Sequence, residues 1–326
     1  MNDIKKIGVL TSGGDSPGMN ACIRAVVRTG IHHGFEVFGI KRGYNGLIHD
    51  EFVKLESHSV SNIIQRGGTI LKTARSMEFM EYEGRKQAYK NLKKHGLDGL
   101  VVIGGNGTFT GADIFIHEFD FPIMGTPGTI DNDLYGTDMT IGYDTALNTV
   151  MEAVDKIRDT ADSHNRLFFI EVMGRDAGFI ALRSGIAGGA EDILIPETVT
   201  YIEDLITMLE TGFRKNKQSG IIIVAEGEEL GGAFEVAKKV KEKLPDYDTR
   251  VTILGHIQRG GSPSSYDRIL ASTLGYVAVN ALAEGRRGEM VGMVNKEVTY
   301  TPFEKAIKHH KDINQEMLKM ARVLSS

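Results

Sequence analysis

Residues 7–20 read IGVLTSGGDSPGMN and decide the fold prediction. Residues 7–10 form a short apolar run of the kind found in strands that are buried on both faces of a parallel sheet. Pro17 stands where the first turn of a helix tolerates proline, and a helical pattern runs from Met19 to His33. A strand that passes through a glycine loop into a helix is half of a βαβ unit, so this stretch predicts an α/β fold.

The same succession of strand and helix repeats along the chain. The predicted strands are 7–10, 36–40, 100–103, 122–125, 167–172, 193–195, 221–225 and 251–254. The predicted helices are 19–33, 84–95, 112–118, 143–162, 177–187, 202–213, 236–244, 266–283 and a tail helix, 303–324, with a break near Asp312. This alternation predicts mostly parallel sheets that are covered by helices on both faces.

Composition narrows the class of protein. A chain of 326 residues fits two domains, and a net charge of −5 argues against nucleic acid as the main partner. Cys22 is the single cysteine, so no intrachain disulfide can form. No apolar run approaches the roughly 20 residues of a membrane helix, and the first residues lack a signal-peptide core. We therefore expect a cytoplasmic protein with no membrane partner.

Two glycine loops follow predicted strands and lead into predicted helices. They are residues 11–16, TSGGDS, and residues 104–108, GGNGT. Free N–H groups at the start of a helix carry partial positive charge and bind phosphate, although a tight turn that requires glycine is the alternative explanation. No Gly-Lys dipeptide occurs, so a Walker A lysine is excluded, and the glycine spacing departs from the dinucleotide-binding pattern.

A third loop, residues 127–133 with the sequence PGTIDND, carries two carboxylates. Asp131 and Asp133 can divide the work of proton acceptor and Mg²⁺ ligand that phosphoryl transfer requires, and an Asx-turn cluster is the alternative. Cationic side chains gather at or near strand ends in the second half of the chain. They favour a phosphorylated small substrate over a set of separate surface salt bridges, and they are Arg166, Arg175, Arg250, His256 and Arg259.

Four ordered motifs resemble the bacterial-type ATP-dependent 6-phosphofructokinases over nearly the whole chain. They are LTSGGDSPGMN at 10–20, PGTIDND at 127–133, MGR at 173–175 and GHIQRGGSP at 255–263. The resemblance implies a homotetrameric glycolytic kinase that uses ATP and Mg²⁺ to phosphorylate fructose 6-phosphate at its 1-hydroxyl. It also implies two Rossmann-like three-layer α/β/α domains with the active site in the cleft between them. The larger, ATP-binding domain would be 1–141 plus 257–307, and the smaller, fructose 6-phosphate-binding domain 142–256 plus 308–326.

By matching position, the resemblance also assigns site residues. Asp131 would take the hydroxyl proton, while Thr129 and Arg175 would steady the transferring phosphoryl group. The sugar phosphate would contact Thr129, Ile130, Asp131, Arg166, Met173, Gly174, Arg175, Glu226, Arg250, His256, Ile257, Gln258 and Arg259, with Arg166 and Arg250 supplied by a neighbouring subunit. ATP would contact Gly14, Arg75, Ser76, Gly105, Asn106, Gly107 and Thr108, and Mg²⁺ would contact Asn106 and Asp133. An effector site for ADP or phosphoenolpyruvate would use Arg24, Arg28, Arg158, Gly189, Glu191, Lys215 and Lys217.

Several positions bear on the donor and on regulation. Gly107 and Gly128 resemble the ATP-using members, since pyrophosphate-using relatives usually carry a carboxylate and a lysine there. Asn106 replaces a family aspartate associated with Mg²⁺, which predicts weaker Mg²⁺ affinity with activity retained. Asn62 and Ser219 replace a common aspartate and histidine of the effector site, which predicts weakened control. A non-catalytic or regulatory paralogue, a pyrophosphate-dependent phosphofructokinase, and a kinase for a related phosphosugar or nucleotide remain alternatives.

Overall fold

The computed structural model describes residues 4–214, 219–309 and 311–324. The chain divides into two compact units. Unit 1 comprises Met1–Ile130, Leu134–Thr145 and Arg259–Lys311, and unit 2 comprises Asp131–Asp133, Ala146–Gln258 and Asp312–Ser326. The roles predicted for the two domains, ATP binding and sugar phosphate binding, stay predictions.

Strands and helices alternate through the described ranges. The strands are β1 Lys6–Thr11, β2 Glu36–Ile40, β3 Phe52–Leu55, β4 Gly99–Gly104, β5 Ile123–Pro127, β6 Arg166–Val172, β7 Asp192–Leu194, β8 Gly220–Ala225, β9 Asp248–Ile253, β10 Glu289–Val294 and β11 Glu297–Pro302. The helices are α1 Met19–His32, α2 Gly43–Ile48, α3 Tyr82–His95, α4 Asn106–Phe119, α5 Tyr143–His164, α6 Phe179–Ala187, α7 Ile202–Arg214, α8 Gly232–Lys243, α9 Ser265–Ala283, α10 Phe303–Lys308 and α11 Gln315–Leu324. Short 3-10 turns lie at Ser57–Val60, Glu78–Met80 and Gly255–Arg259.

Unit 1 is built on a seven-stranded sheet with the order β11-β10-β5-β4-β1-β2-β3. The five strands from β10 to β2 are parallel, and the two edge strands, β3 and β11, are antiparallel. Because side chains alternate along a strand, Val9 packs in one core cluster with α1 and α9, while Leu10 packs in the other with α3 and α4. Helices therefore cover both faces of the sheet, as predicted.

Unit 2 is built on a four-stranded sheet, β7-β8-β6-β9, in which every pair is parallel. Phe169 of β6 and Ile222 of β8 share a buried cluster with Leu205 of α7 and Val236 of α8. Helix α6 contacts β7 and β8. The α/β fold class with mostly parallel sheets is confirmed in both units.

Some elements were not predicted. The β10–β11 hairpin turns through Asn295 and Lys296, whose φ angles are both positive, 52° and 68°. A two-residue turn of that conformation matches the twist of the strands, but asparagine followed by lysine is a weaker sequence signal than the usual asparagine followed by glycine. Strand β3 and helix α2 were also missed, since each is only four to six residues long. Among helices in the described ranges, none has both the length and the apolar character that a membrane crossing demands.

Candidate active site

The two glycine loops of unit 1 lie side by side. They follow β1 and β4, which are parallel neighbours with Thr11 aligned to Ile103, so both loops leave the same carboxyl edge of the sheet. The Ser12 amide donates to the Ile103 carbonyl oxygen at 3.0 Å. The Thr108 hydroxyl donates to the Ser12 carbonyl oxygen at 3.1 Å. These two bonds hold the loops together.

Helix α4 begins within the second glycine loop. The prediction of a helix from 112 was wrong at its start, because Gly107 and Gly111 lower the helical propensity of a segment that tertiary packing nevertheless folds as helix. Gly105 is the N-cap residue, and no side chain caps the helix there. The N-terminus of this 14-residue helix carries partial positive charge and lies at the carboxyl edge of the sheet, where an anion can bind.

Two glycines of the second loop differ in how much room they leave. A Cβ on Gly104 would lie 2.2 Å from the Thr108 hydroxyl oxygen and 2.5 Å from the Ser12 carbonyl oxygen, so glycine is required at this close approach. A Cβ on Gly107 would meet no heavy atom within 4 Å, and the residue is exposed. The space over Gly107 is open to a ligand.

Arg259 lies against the first glycine loop. Its Nη1 would be 2.5 Å from a Cβ on Gly14, and it donates to the Asp15 carbonyl oxygen at 3.4 Å. The family resemblance predicts that Gly14 contacts ATP and that Arg259 contacts the sugar phosphate. The structure brings these two residues into contact within unit 1, so the Arg259 guanidinium packs on the loop predicted to bind the nucleotide.

Arg75 and Ser76 belong to a segment that is tied to the same loop. The Thr73 hydroxyl donates to the Gly13 carbonyl oxygen at 2.7 Å. The Ser76 hydroxyl accepts from the Phe79 amide at 3.3 Å, and Arg75 is exposed. Sequence reasoning missed Thr73, which has no motif of its own and is recognisable only from this contact.

The loop after β5 reaches the start of α4. The Gly128 amide donates to the Gly104 carbonyl oxygen at 2.9 Å, and a Cβ on Gly105 would stand 3.5 Å from the Thr129 Cβ. Thr129 is buried, and its carbonyl oxygen accepts from the Thr140 hydroxyl at 2.6 Å. Ile130 is fully buried in the core. Its predicted contact with the substrate stays a prediction.

The next three residues, Asp131–Asp133, carry two carboxylates and belong to unit 2. Asp131 is only 6% exposed, Asn132 is buried, and Asp133 is half-buried. Asn132 has a φ of 54°, a left-handed conformation that asparagine tolerates better than most residues. A buried carboxylate at 131 is shielded from bulk water, which favours its use in proton transfer.

The oxygen donors predicted for Mg²⁺ suit that ion chemically. The Asp133 carboxylate and the Asn106 amide oxygen are hard ligands, and Asn106 occupies the first turn of α4. Within the part of the chain that the structure describes, no three His, Cys, Asp or Glu side chains form a group able to hold a metal. Each of the two residues can contribute one oxygen to an ion that is otherwise held by phosphates and waters.

In unit 2, three predicted residues follow β6 as a strained loop. Gly174 has a φ of 148°, and Arg175 has a φ of 53°. The Arg175 amide donates to Oε2 of Glu226 at 3.3 Å, and a Cβ on Gly227 would come within 2.1 Å of the Arg175 carbonyl oxygen. Met173 is buried, whereas the Arg175 and Glu226 side chains are exposed. The structure thus brings together Met173, Gly174, Arg175 and Glu226.

The side chains of the turn after β9 differ in their exposure to solvent. His256 is exposed and Ile257 is 58% exposed, while Gln258 is fully buried. The Gln258 side chain accepts from the Met173 amide at 3.2 Å and donates to the Gly255 carbonyl oxygen at 3.0 Å. Both polar atoms of the Gln258 side chain are thus used inside unit 2, and its predicted role as a substrate ligand stays a prediction.

Arg166 is the first residue of β6, and Arg250 of β9 is aligned with Phe168, near the amino end of the same strand. Arg166 is paired with Asp248, the first residue of β9. Its Nε donates to Asp248 at 2.8 Å, and Arg250 forms a second ion pair with the same carboxylate. The hydrogen bond from Arg166, together with the charge of Arg250, lowers the pKa of Asp248. Seven residues of strand span about 20 Å, so these cations do not share the carboxyl edge with Arg175.

The residues predicted for an effector site fall into separate groups. In unit 2, the Arg158 guanidinium donates to the carbonyl oxygens of Gly188 and Gly189, and Glu191 is buried beside Gly220. In unit 1, Arg24 and Arg28 stand four residues apart on α1, where burial and the charge of Arg28 lower the pKa of Arg24. Lys215 and Lys217 lie outside the described residues. Two residues differ from the family's usual effector-site residues. Asn62 adopts a φ of 55°, and the Ser219 hydroxyl donates to Asp162 at 2.6 Å.

Comparison with known proteins gives concordant results. The phosphofructokinase family model matches residues 6–282. The chain is 58% identical to ATP-dependent 6-phosphofructokinase 2 of Bacteroides thetaiotaomicron, over 100% of both chains. It is 57% identical to ATP-dependent 6-phosphofructokinase 1 of Thermus thermophilus, over 99% of this chain and 100% of the relative.

Solved structures agree with the sequence relatives. Phosphofructokinase from Saccharomyces cerevisiae superimposes with a TM-score of 0.88 at 42% identity, covering 93% of this chain and 45% of that longer chain. A pyrophosphate-dependent phosphofructokinase from Marinobacter aquaeolei gives a TM-score of 0.86 at 21% identity, over 99% of this chain and 92% of that one. At that identity the second likeness concerns the fold alone.

Proposed function

Because the chain belongs to the phosphofructokinase family, we propose that it transfers the γ-phosphoryl group of ATP to the 1-hydroxyl of fructose 6-phosphate. The products are fructose 1,6-bisphosphate and ADP, and the reaction is a step of glycolysis. The observation that carries the proposal is the start of α4, whose uncapped N-terminus and open glycine stand beside the first glycine loop and Thr129. Such a site suits the phosphates of a donor.

The acceptor side of the reaction requires a base. Asp131 is the proposed acceptor of the 1-hydroxyl proton, since it is a buried carboxylate in the loop that directly follows Thr129. The Thr129 hydroxyl and the Arg175 guanidinium steady the phosphoryl group as it moves. Positioning and charge neutralisation dominate phosphoryl transfer, so a cation and a donor group at the transferring phosphoryl contribute more than covalent chemistry.

Mg²⁺, when bound with ATP, neutralises phosphate charge and orients the donor. Asp133 and Asn106 are the residues proposed to contribute oxygens to it. Asn106 offers a neutral oxygen where an aspartate would offer a charged one. The proposal therefore includes a lowered affinity for Mg²⁺ with activity retained.

ATP is the proposed donor in preference to pyrophosphate. The open space over Gly107 leaves room for the α-phosphate and the nucleoside, and no side-chain charge at that position repels them. Gly128 is tightly packed, with the position of a Cβ 3.0 Å from both Ile103 and Met19. That packing leaves little room for the lysine that pyrophosphate-using relatives usually carry. Gly14, Arg75, Ser76, Gly105 and Thr108 complete the proposed ATP contacts.

The sugar phosphate is proposed to bind at the carboxyl edge of the unit 2 sheet, through Met173, Gly174, Glu226 and His256, with Arg259 on the 6-phosphate. Arg166 begins β6, and Arg250 is aligned with Phe168 near the amino end of the same strand. Both are proposed to assist the 6-phosphate from another subunit of the proposed homotetramer. Arg24, Arg28, Arg158, Gly189, Glu191, Lys215 and Lys217 are proposed to form a weakened site for ADP or phosphoenolpyruvate.

A donor-swap assay tests the proposal. The purified chain is given fructose 6-phosphate with Mg²⁺ and either ATP or pyrophosphate, and fructose 1,6-bisphosphate is measured directly. We expect product with ATP and none above background with pyrophosphate. Product with pyrophosphate alone would favour the pyrophosphate-dependent alternative. Binding of both ligands without product would favour the non-catalytic one.

A further inference from the structure

Gln258 occupies an unusual position among the residues of its turn. It lies in the 3-10 turn Gly255–Arg259, between Ile257, which is 58% exposed, and Arg259, which is half-buried. Gln258 itself has no exposed surface. A buried primary amide must find partners for both of its polar atoms, because an unmet buried polar group bears the full cost of leaving water.

Both partners of the Gln258 amide are backbone groups of loops at the sheet edge. Its Oε1 accepts from the Met173 amide, at 3.2 Å, in the loop after β6. Its Nε2 donates to the Gly255 carbonyl oxygen, at 3.0 Å, at the start of its own turn. One side chain therefore joins the loop that carries Arg175 to the turn that carries His256.

The loop that Gln258 holds contains one residue in a costly backbone conformation. Arg175 has a positive φ angle, which costs conformational energy in a residue with a side chain, while Gly174 adopts its positive φ freely and accepts from the Ala177 amide at 3.0 Å. The Arg175 amide is held by Glu226 through a bond of 3.3 Å, near the long limit for such a bond. The bond from Met173 to buried Gln258 fixes the first residue of this strained segment, away from solvent.

We propose that Gln258 is a positioning residue, which sets the geometry of the Arg175 loop against the His256 turn and does not itself touch substrate. The proposal rests on the proposed function, because Arg175 and His256 are assigned there to the transferring phosphoryl and to the sugar phosphate. It replaces the predicted ligand role of Gln258 with an internal one. The consequence is a defect in sugar phosphate use that leaves ATP binding intact, since both linked loops belong to unit 2.

Two substitutions at this position separate the contacts. Gln258→Met keeps the size and removes both hydrogen bonds. Gln258→Glu keeps the acceptor for Met173 and removes the amide donor to Gly255. We expect kcat/KM for fructose 6-phosphate to fall about tenfold to a hundredfold in Gln258→Met, the equivalent of about 1.4–2.8 kcal/mol. Gln258→Glu places a carboxylate against the Gly255 carbonyl oxygen in a fully buried site, so its kcat/KM should fall at least as far. KM for ATP should change less than twofold in both variants.

Tyr247→Phe is the matched control. The buried Tyr247 hydroxyl donates to the Leu209 carbonyl oxygen at 3.0 Å, in the unit 2 core, so the substitution also removes a buried hydrogen bond of this unit. Tyr247→Phe should lower the unfolding midpoint and leave both KM values unchanged. Gln258→Glu keeps the test available if Gln258→Met does not fold.

The outcomes separate this inference from the proposed function. Wild-type kcat/KM in both Gln258 variants, or equal losses for sugar phosphate and ATP, would overturn the positioning role while the wild-type chain remains an active kinase. An inactive wild-type chain would instead overturn the proposed function. In that case titration calorimetry with fructose 6-phosphate alone still tests Gln258, and equal affinity in wild type and both variants would refute the role.

Discussion

The Thr108 hydroxyl donates to the Ser12 carbonyl oxygen across 3.1 Å, and this bond links the two glycine loops of unit 1. Thr108 is only 2% exposed, so the bond is shielded from water. It joins the first turn of α4 to the residue that directly follows β1. The shape of the proposed ATP site therefore depends on one buried side chain as well as on the glycines around it.

Replacing Thr108 with valine tests this dependence. Thr108→Val keeps the shape of the side chain and removes the donor, leaving the Ser12 carbonyl oxygen unmet. We expect KM for ATP to rise about fivefold, the equivalent of about 1 kcal/mol for one hydrogen bond. Thr110→Val is the control, because the Thr110 hydroxyl bonds only within α4, to the Asn106 carbonyl oxygen on the exposed surface. Equal effects of the two substitutions would contradict the linking role.

The proposed base is tested by Asp131→Asn, which is isosteric and cannot accept the hydroxyl proton. We expect kcat to fall by about 10² to 10⁴, the usual contribution of general base catalysis, with KM values within a few-fold of wild type. Asp138→Asn is the control, since exposed Asp138 accepts from the Asn295 amide far along the chain. A kcat for Asp131→Asn within threefold of wild type would rule out this base.

Charge at position 107 is predicted to select the donor. The ideal Cβ at Gly107 meets nothing within 4 Å, so Gly107→Asp introduces charge without a clash in the free protein. We expect KM for ATP to rise at least tenfold, because the carboxylate repels the α-phosphate. Gly107→Asn is nearly the same size and is neutral, and it should raise KM much less. If both variants behave alike, space and not charge decides the donor.

The lowered Mg²⁺ affinity is tested at Asn106. Asn106→Asp adds one anionic oxygen at the first position of α4, where a negative charge is also favourable to the helix. The Mg²⁺ concentration that gives half the maximal rate, at fixed saturating ATP, should fall in the variant. An unchanged Mg²⁺ dependence would show that position 106 does not contribute to the metal.

Sharing of residues between subunits is tested by complementation. Arg166→Ala removes a cation from the amino end of β6, and Asp131→Asn removes the proposed base. If each site draws Arg166 from a neighbour, unfolding and refolding a mixture of the two weak variants should give a rate well above that of either parent. A mixture no more active than its parents would mean that both residues serve the site of their own chain.

Much of this structure follows from short-range sequence signals. The central strands could be predicted because parallel strands buried on both faces are continuous apolar runs, as in 100–103. The start of α4 could not, because glycines at 107 and 111 lower local propensity and the helix is held by Phe109 and Phe115 in the core. The β10–β11 hairpin was missed for a different reason, because its two-residue turn, Asn295 and Lys296, lacks the glycine that usually marks such a turn.

The site was predictable to a different degree at each residue. Glycine loops at strand ends could be identified, since the carboxyl edge of a parallel sheet collects its loops. The orientation of single side chains could not, because the pattern of residues 255–259 does not reveal that Gln258 points inward while His256 points outward. The position of Arg166 at the amino end of β6 depends on strand register, which sequence alone leaves open.

The central claim concerns the reaction itself, and a single kinetic comparison tests it most directly. Initial rates of fructose 1,6-bisphosphate formation are measured for the wild-type chain and for Asp131→Asn, with ATP and a range of Mg²⁺ concentrations. We expect the wild-type chain to form fructose 1,6-bisphosphate at a rate that depends on Mg²⁺, and the variant to form it at least a hundredfold more slowly. Equal rates from the two proteins, or no product from the wild-type chain under any of these conditions, would contradict it.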